Sequence, residues 1–442
     1  MRKILLILAC CCTAMSAQAQ DFRHEWTLRE CLDWALEHNL TVKQGALNLE
    51  EQEIRLSSAR NNRLPTISAS ASENLSFGRG LTADNTYTSA NTTSSGFSIG
   101  GGMNLFDGFS TPNQIRLARL NLEAATADLE RYRDDIRVSV AKAYVQVLYD
   151  QEIVEVARQQ IDLDAAQVRR LEALAASGKA SQAEVSQQKA SLAQSETTLV
   201  QAENNLRLAM LDLSQLLEFP SAEGFRIARP DIEVGDILLD IPENIYADAV
   251  AVRPGIQAEK LRLKGTEHSL KIARSTRYPS LNLSGGVGTN YYTTSNAAIP
   301  QSGFWDQLSH NFSPYVGLSL SIPVFDRFST RNAVRSARLN QALQQVQLDK
   351  AEQSLHKEIQ QAWSNAVAAQ AKYFSSRQAA VAAEDAFRLV QAKYENGKAT
   401  ITEFNESRNQ LLKTRSDQVQ ASCEYLFQSR LLDFYRGGSL DL

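Results

Sequence analysis

From Tyr315 to Val324 the chain alternates without a break. Val316, Leu318, Leu320, Ile322 and Val324 fall on one parity, and Tyr315, Gly317, Ser319 and Ser321 on the other. Successive side chains of a strand point to opposite faces, so this stretch predicts a strand with one apolar face. Three other segments carry weaker versions. Ile67, Ala69 and Ala71 alternate with Ser68, Ser70 and Ser72, and the series Phe97, Ile99, Gly101, Met103, Leu105 and Leu281, Leu283, Gly285, Val287 follow the same period. Alternation over roughly ten residues with a small, polar second face fits a membrane β-barrel strand. It fits a soluble sheet with one wet face equally well.

Between these segments the period changes to that of a helix. Short helices are predicted near Thr41 to Asn61 and near Gly255 to Ser275. From Pro112, suited to a first helical turn, neither Pro nor Gly occurs again until Gly178. That run corresponds to roughly 100 Å of helix at 1.5 Å per residue. Val140, Val147, Val154, Ile161 and Val168 recur every seventh residue, the spacing of coiled-coil packing. A second run extends from about Arg331 to Asn396. Each is followed by a glycine suited to a helix C-cap, Gly178 and Gly397, and then by a capping box, Ser181 with Glu184 and Thr400 with Glu403. These signals predict two tight helical hairpins.

The two hairpins belong to a duplication. At an offset of 219, Ala118-Arg119-Leu120-Asn121 recurs as Ala337-Arg338-Leu339-Asn340, Gly178-Lys179-Ala180 as Gly397-Lys398-Ala399, and Glu184 as Glu403. Phe106-Asp107 with Ser110-Thr111 recurs as Phe325-Asp326 with Ser329-Thr330. Upstream the offset is 214, with Ala59-Arg60 and Pro65 recurring as Ala273-Arg274 and Pro279, so the length change falls between the two strands of each unit. The expected organisation is a first repeat over residues 26–218, a linker over 219–243, a second repeat over 244–436 and a tail over 437–442. Each repeat holds a short helix, two strands and a long helical hairpin.

Two strands per repeat make four per chain. A closed membrane barrel needs at least about eight, and open edges are not tolerated in lipid. Such a chain either stays soluble or assembles with copies of itself, three copies giving twelve strands.

Composition narrows the function classes. With 46 basic and 50 acidic side chains the net charge is -4, which gives no electrostatic case for nucleic acid. Residues 1–19 read as a signal peptide: Arg2 and Lys3 are basic, Ile4 to Ala14 apolar, and Ala17-Gln18-Ala19 suits cleavage before Gln20. Ile7-Leu8-Ala9-Cys10 also fits a lipoprotein cleavage box that would place a lipid on Cys10. Beyond the first twelve residues only Cys31 and Cys423 remain, so no disulfide framework is implied. The histidines, His24, His38, His268, His310 and His356, have no metal-ligand spacing, and Gly100-Gly101-Gly102 lacks the Lys and Ser/Thr of a phosphate loop. No G-x-S-x-G elbow occurs. These readings argue against an enzyme, and no cofactor is expected.

In this order, the stretches Arg63-Leu64-Pro65, Val316 to Phe325 with Ile322-Pro323-Val324-Phe325, Ala337-Arg338-Leu339 and Tyr394-Glu395-Asn396-Gly397-Lys398-Ala399-Thr400 resemble the TolC-like outer-membrane efflux family. The resemblance runs from Trp26 to about Tyr435. It implies a mainly α fold with a small β part. A homotrimer would form a 12-stranded outer-membrane β-barrel on a long periplasmic α-helical barrel. It also implies partners, a periplasmic adaptor and an inner-membrane pump, with outer-membrane lipid around the strands.

The resemblance further implies roles at the tips. Glu403 and Glu406 match the acidic ring at the narrowest point of the tunnel, where carboxylates favour cations. Tyr394 and Glu184 match a gate latch whose other members are replaced here by Ala399 and Ala183, with Lys398 as a substitute cation. Gly178, Lys179, Gly397 and Lys398 match the hairpin tips at which the adaptor docks. Plainer readings stay open. Glu403 and Glu184 fit simple capping boxes, Glu406 a solvated helix face, and Tyr394 hairpin packing. Phe77, Tyr291, Tyr292, Trp305, Phe312 and Tyr315, near strand ends, suit an interfacial girdle or ordinary aromatic loops. The expected function is the gated exit duct of a tripartite pump for small molecules. The alternatives are the exit duct of a type I protein secretion system and a periplasmic adhesive coiled coil.

Overall fold

The computed structural model describes residues 24–81, 85–89, 91–220, 224–229, 239–295 and 301–440. The expected signal peptide with Cys10, residues 221–223 and 230–238 of the expected linker, and the last two residues of the tail lie outside the described residues. The chain divides into two compact units, one of Leu47–Ala127 with Gln257–Lys350, the other of the segments up to Ala46, Asp128–Ile256 and from Ala351 onwards.

The first unit holds an antiparallel four-stranded sheet. Numbering strands along the chain, the two-residue β1 (Glu25–Trp26) precedes β2 (Thr66–Ser76), β3 (Arg79–Leu81), β4 (Tyr87–Ser89) and β5 (Thr92–Asp107). After β6 (Arg226–Ile227) come β7 (Ser280–Thr294) and β8 (Ser313–Ser321). The sheet order is β2-β5-β7-β8, so each repeat contributes one hairpin and the two meet between β5 and β7.

The register sorts the side chains onto two faces. Directly paired residues share a face. The pairs Ala69–Ile99, Ile99–Val287, Leu283–Leu318 and Leu281–Leu320 put the apolar parity of all four strands on one side. The other side carries Ser70–Ser98, Gly100–Gly286 and Asn282–Ser319. On the apolar side Ile67, Ile99, Val316, Leu318 and Leu320 are exposed, Val316 at 84%.

Two strand ends differ from the alternation. β8 stops at Ser321 rather than running through Val324, because Pro323 has no N–H for a ladder. In β5 a bulge at Leu105 shifts the register, so that Phe106 pairs with Leu281 and shares its face. Gly101 is also fixed by the sheet: a Cβ there would lie 2.3 Å from the carbonyl oxygen of Thr66.

The length difference between the repeats lies in the connections away from the helices. Numbered along the chain, the helices are α1 (Leu28–His38), α2 (Leu40–Asn61), α3 (Ser110–Ala176), α4 (Gln182–Leu216), α5 (Pro242–Val252), α6 (Pro254–Ser275), α7 (Phe304–His310), α8 (Ser329–Glu395) and α9 (Ile401–Tyr435). The small β3–β4 hairpin joins β2 to β5, and α7 stands in the corresponding connection from β7 to β8. β8 begins opposite Gly288, which leaves the far half of β7 without a strand on that edge. Side-chain amides from the α7 segment occupy it. Gln307 bonds both N and O of Tyr292 at 2.9 Å, and Asn311 donates to Asn290 O at 2.7 Å. Phe304 rests edge-on against Phe97 and Tyr291, on the apolar side of the sheet.

The second unit is helical apart from the β1–β6 pair. Thr27 and Glu30 form a capping box that starts α1. Trp26, Trp34, Phe219 and Phe225 pack as an aromatic group, and the Tyr144 hydroxyl donates to Ala228 O at 2.7 Å. Of the heptad residues of α3, Val140, Val147, Val154 and Val168 are buried, as the seven-residue spacing predicts, while Ile161 is half-buried. Arg253 joins α3 to the end of α9: it donates to Asp134 at 3.0 Å and to Phe434 O at 2.8 Å while lying over the rings of Phe434 and Tyr435.

Candidate functional site

Both hairpin tips are built from the same local chemistry. α3 ends at Ala176 and α8 at Glu395; Gly178 and Gly397 follow at φ 73° and 70°. Lys179 N donates to Leu174 O and Lys398 N to Lys393 O, each at 2.8 Å, closing the Schellman turn that a left-handed residue permits. A Cβ on either glycine would meet nothing within 4 Å, so backbone conformation, not space, selects glycine. Gly178, Lys179, Gly397 and Lys398 are all exposed.

The next helices begin with reciprocal caps. Ser181 N donates to Glu184 at 2.8 Å while Glu184 N donates to Ser181 Oγ at 3.2 Å. Thr400 N donates to Glu403 at 2.7 Å while Glu403 N donates to Thr400 Oγ1 at 3.2 Å. The backbone bond from Thr400, then its hydroxyl, hold the Glu403 carboxyl below its usual range. Glu403 and Glu406 are exposed one turn apart on α9, and both border an open cleft of about 380 Å³ with Ala383, Ala386, Ser407 and Gln410. Glu406 has no part in the cap.

Tyr394 lies just inside the tip. Its ring stacks on Phe404 at 5.0 Å and the Arg170 guanidinium carbon stands 5.6 Å from its centroid. Burial pushes its pKa up, and the charge of Glu184 acts in the same direction. The carboxylate of Glu184 itself is engaged with Ser181. Below Tyr394 the core joins all four long helices: Leu171 of α3, Val185 of α4, Phe387 of α8, and Ile401, Phe404 and Leu411 of α9.

One cluster near the tips is absent from the sequence reading. Asp164 of α3 is completely buried and pairs with Arg408 of α9, itself 4% exposed. Gln188 and Ser195 of α4 also donate to Asp164, at 3.1 and 2.6 Å, and Gln160 of α3 at 3.0 Å. The available signal was a carboxylate three residues after Ile161 of the heptad series, in the apolar seam.

Among the described residues no group of three or more His, Cys, Asp or Glu is arranged to hold a metal, and no helix is long and apolar enough to cross a membrane.

The sequence and fold are similar to those of known proteins. The outer membrane efflux protein profile matches residues 31–217 and 245–438. Outer membrane efflux protein BepC of Brucella suis is 22% identical over 332 residues, 74% of this chain and 69% of that protein. Protein CyaE of Bordetella pertussis is 23% identical over 404 residues, 90% of this chain and 81% of that one. The crystal structure of the outer membrane protein VceC from Vibrio cholerae superposes with a TM-score of 0.76 at 20% identity, over 94% of this chain and 97% of that chain. A structure of CusC gives 0.79 at 15% identity, over 96% of both. The chain belongs to the outer membrane efflux protein family.

Proposed function

We propose that the chain is the outer-membrane exit duct of a tripartite efflux pump, working as a homotrimer with a periplasmic adaptor and an inner-membrane pump. The observation that carries this reading is the four-stranded sheet. It exposes one continuous apolar face, and its outer strands, β2 and β8, are both open edges. Water disfavours the face, and lipid disfavours the edges. Pairing β8 of one copy with β2 of the next removes both objections, and three copies close a 12-stranded barrel. The apolar face then meets lipid and the Ser-, Gly- and Asn-rich face lines the lumen.

In the assembled duct the hairpin tips form the periplasmic end. Glu403 and Glu406 contribute six carboxylates around the constriction, Tyr394 and Glu184 act in the gate, and Gly178, Lys179, Gly397 and Lys398 meet the adaptor. The small-molecule substrate class draws support from relatives such as the toluene efflux pump outer membrane protein TtgC of Pseudomonas putida, 21% identical over 395 residues.

Electron imaging of the full-length protein, extracted from outer membranes in mild detergent, tests the proposal. Three-fold particles with a wide ring at one end are expected. Monomeric particles, or protein released from the membrane by carbonate, would overturn it in favour of a periplasmic coiled-coil protein.

A further inference from the structure

The Asp164–Arg408 cluster combines features that packing alone does not call for. A charged pair almost wholly removed from water is costly to build unless every lone pair and proton is matched. Here the match is incomplete. Arg408 Nε, Gln160 Oε1 and Gln188 Oε1 have no hydrogen-bond partner, although Asp164 itself accepts from four side chains. A buried group left without a partner costs free energy, so an arrangement that satisfies it gains by that amount. Space for one is present. Arg408 borders an open cleft of about 370 Å³ between α3 and α9, lined also by Val156, Leu163, Leu412 and Arg415.

The duplication sharpens the point. At the repeat offset, Asp164 corresponds to Ala383 and Gln160 to Ala379, while Arg408 corresponds to Lys189. Lys189 is half-exposed and pairs with Glu172 at 2.6 Å on the surface. The two repeats share their tips, caps and glycines but not this buried pair. It therefore is not a requirement of the hairpin, and it marks one repeat-related place and not the other.

Its position couples it to the candidate constriction. Asp164, Gln160, Gln188 and Ser195 belong to the first hairpin and Arg408 to the return helix of the second. Arg408 follows Glu406 by two residues, which on an α-helix is a rotation of about 200°. Fixing Arg408 inward thus turns Glu406 outward, to the opposite side of α9.

We propose that Asp164 and Arg408 form an internal lock. It holds α9 against the first hairpin in one rotation and so positions Glu403 and Glu406; the tips open when the pair parts and Arg408 moves into the flanking cleft. This rests on the reading of the tips as the gated end of a duct. Asp164 and Arg408 are positioning residues here, acting through the rotation of α9.

The test uses full-length trimers reconstituted in planar bilayers, comparing wild type with Asp164→Asn, Arg408→Gln and the double variant. Each single change leaves a buried partner unmatched, and the fraction of time spent open is expected to rise about tenfold or more. The double variant is expected to open no more than the stronger single one, because the pair acts as a unit. Ion selectivity of the open channel stays as in wild type. Unchanged opening in both singles, or a double effect equal to the product of the singles, overturns the lock. If neither neutral variant assembles, Arg408→Lys is read instead. It keeps the charge but not the planar fork, so raised opening supports the lock and unchanged opening overturns it.

A second readout does not depend on conduction. Spin labels at positions 179 and 398 report the spread of distances between the two tips of a protomer. A broader spread in Arg408→Gln supports the restraint, and an unchanged spread overturns it. Broadening with no change in conductance would mean that the pair restrains α9 but that the tips are not the gate, which overturns the lock together with that reading of the tips.

Discussion

Asp326 accepts the backbone N–H of Thr330 at 2.8 Å and so closes the first turn of α8. Asp107 does the same for Thr111 at the start of α3, also at 2.8 Å. The repeated Phe-Asp and Ser-Thr pairs are therefore helix-start signals, placed where each strand hairpin hands over to its long helix. The chain turns there through left-handed residues, Gly108 and Phe109 in one repeat, Arg327 and Phe328 in the other. An aspartate that satisfies the first N–H groups directs that reversal into a helix.

The cap carries a pH signature. Hydrogen bonds from the Thr330 side chain, then from its backbone, hold the Asp326 carboxyl below its usual range. A carboxylate with a depressed folded-state pKa contributes stability above its unfolded pKa of about 3.9 and loses it as pH falls through the folded value. Asp326→Asn is expected to lower the thermal midpoint at neutral pH. The gap should narrow at acid pH, as the pH falls below the usual carboxylate range and through the depressed folded value. Circular dichroism melts of the detergent-solubilised protein at both pH values check this. An equal deficit at both would mean that the carboxylate charge is not what matters.

Gly397 isolates a backbone effect. No atom lies within 4 Å of where its Cβ would be, so Gly397→Ala loses only through the left-handed conformation at φ 70°. The expected cost is about 1–2 kcal/mol, and less for Gly397→Asn, since Asn tolerates that region. Urea midpoints of the two variants should fall in that order. Equal losses would point to a steric cause instead.

The tips were legible in the sequence because their signals are local. A C-cap glycine, a capping box and a proline-free run each act within a few residues, and their duplication doubled the signal. The four strands were legible for the same reason, yet their limits were not. Pro323 ends β8 early, and the Leu105 bulge depends on the partner strand. The connection between β7 and β8 could be assigned a length but not α7, whose amides serve an edge exposed only by the short β8. The Asp164–Arg408 pair escaped because its members are 244 residues apart. Arg408 alone reads as an ordinary charged residue on a polar helix and Asp164 as a lone carboxylate beside the heptad seam; burial by the facing helices makes them a pair.

Leu318 and Ser319 compare the two faces of β8. Leu318 belongs to the exposed apolar side, and Ser319 pairs with Asn282 on the other. If the apolar side meets lipid, Leu318→Arg should cost about 2–4 kcal/mol near the bilayer midplane. Ser319→Arg should cost far less, since a lumen accepts charge. Trimer yield in outer membranes and resistance of the trimer to heat in detergent distinguish the two. Equal tolerance at both positions would remove the lipid from that face.

Glu403 and Glu406 separate a cap from a pore. Glu403 holds Thr400 N at 2.7 Å, so Glu403→Gln disturbs the start of α9 as well as its charge. Glu406 has no capping duty, and Glu406→Gln changes charge alone. In a trimer the single Glu406 change removes three carboxylates and the double change removes six. Rings of carboxylates concentrate cations and exclude anions, so the reversal potential across a salt gradient should shift toward the non-selective value stepwise, Glu406→Gln first and the double variant further. Stability should drop only where Glu403 is replaced, because only that change weakens the reciprocal cap with Thr400. A reversal potential unmoved by the double variant would take both carboxylates out of the pore and leave Glu403 as a helix cap.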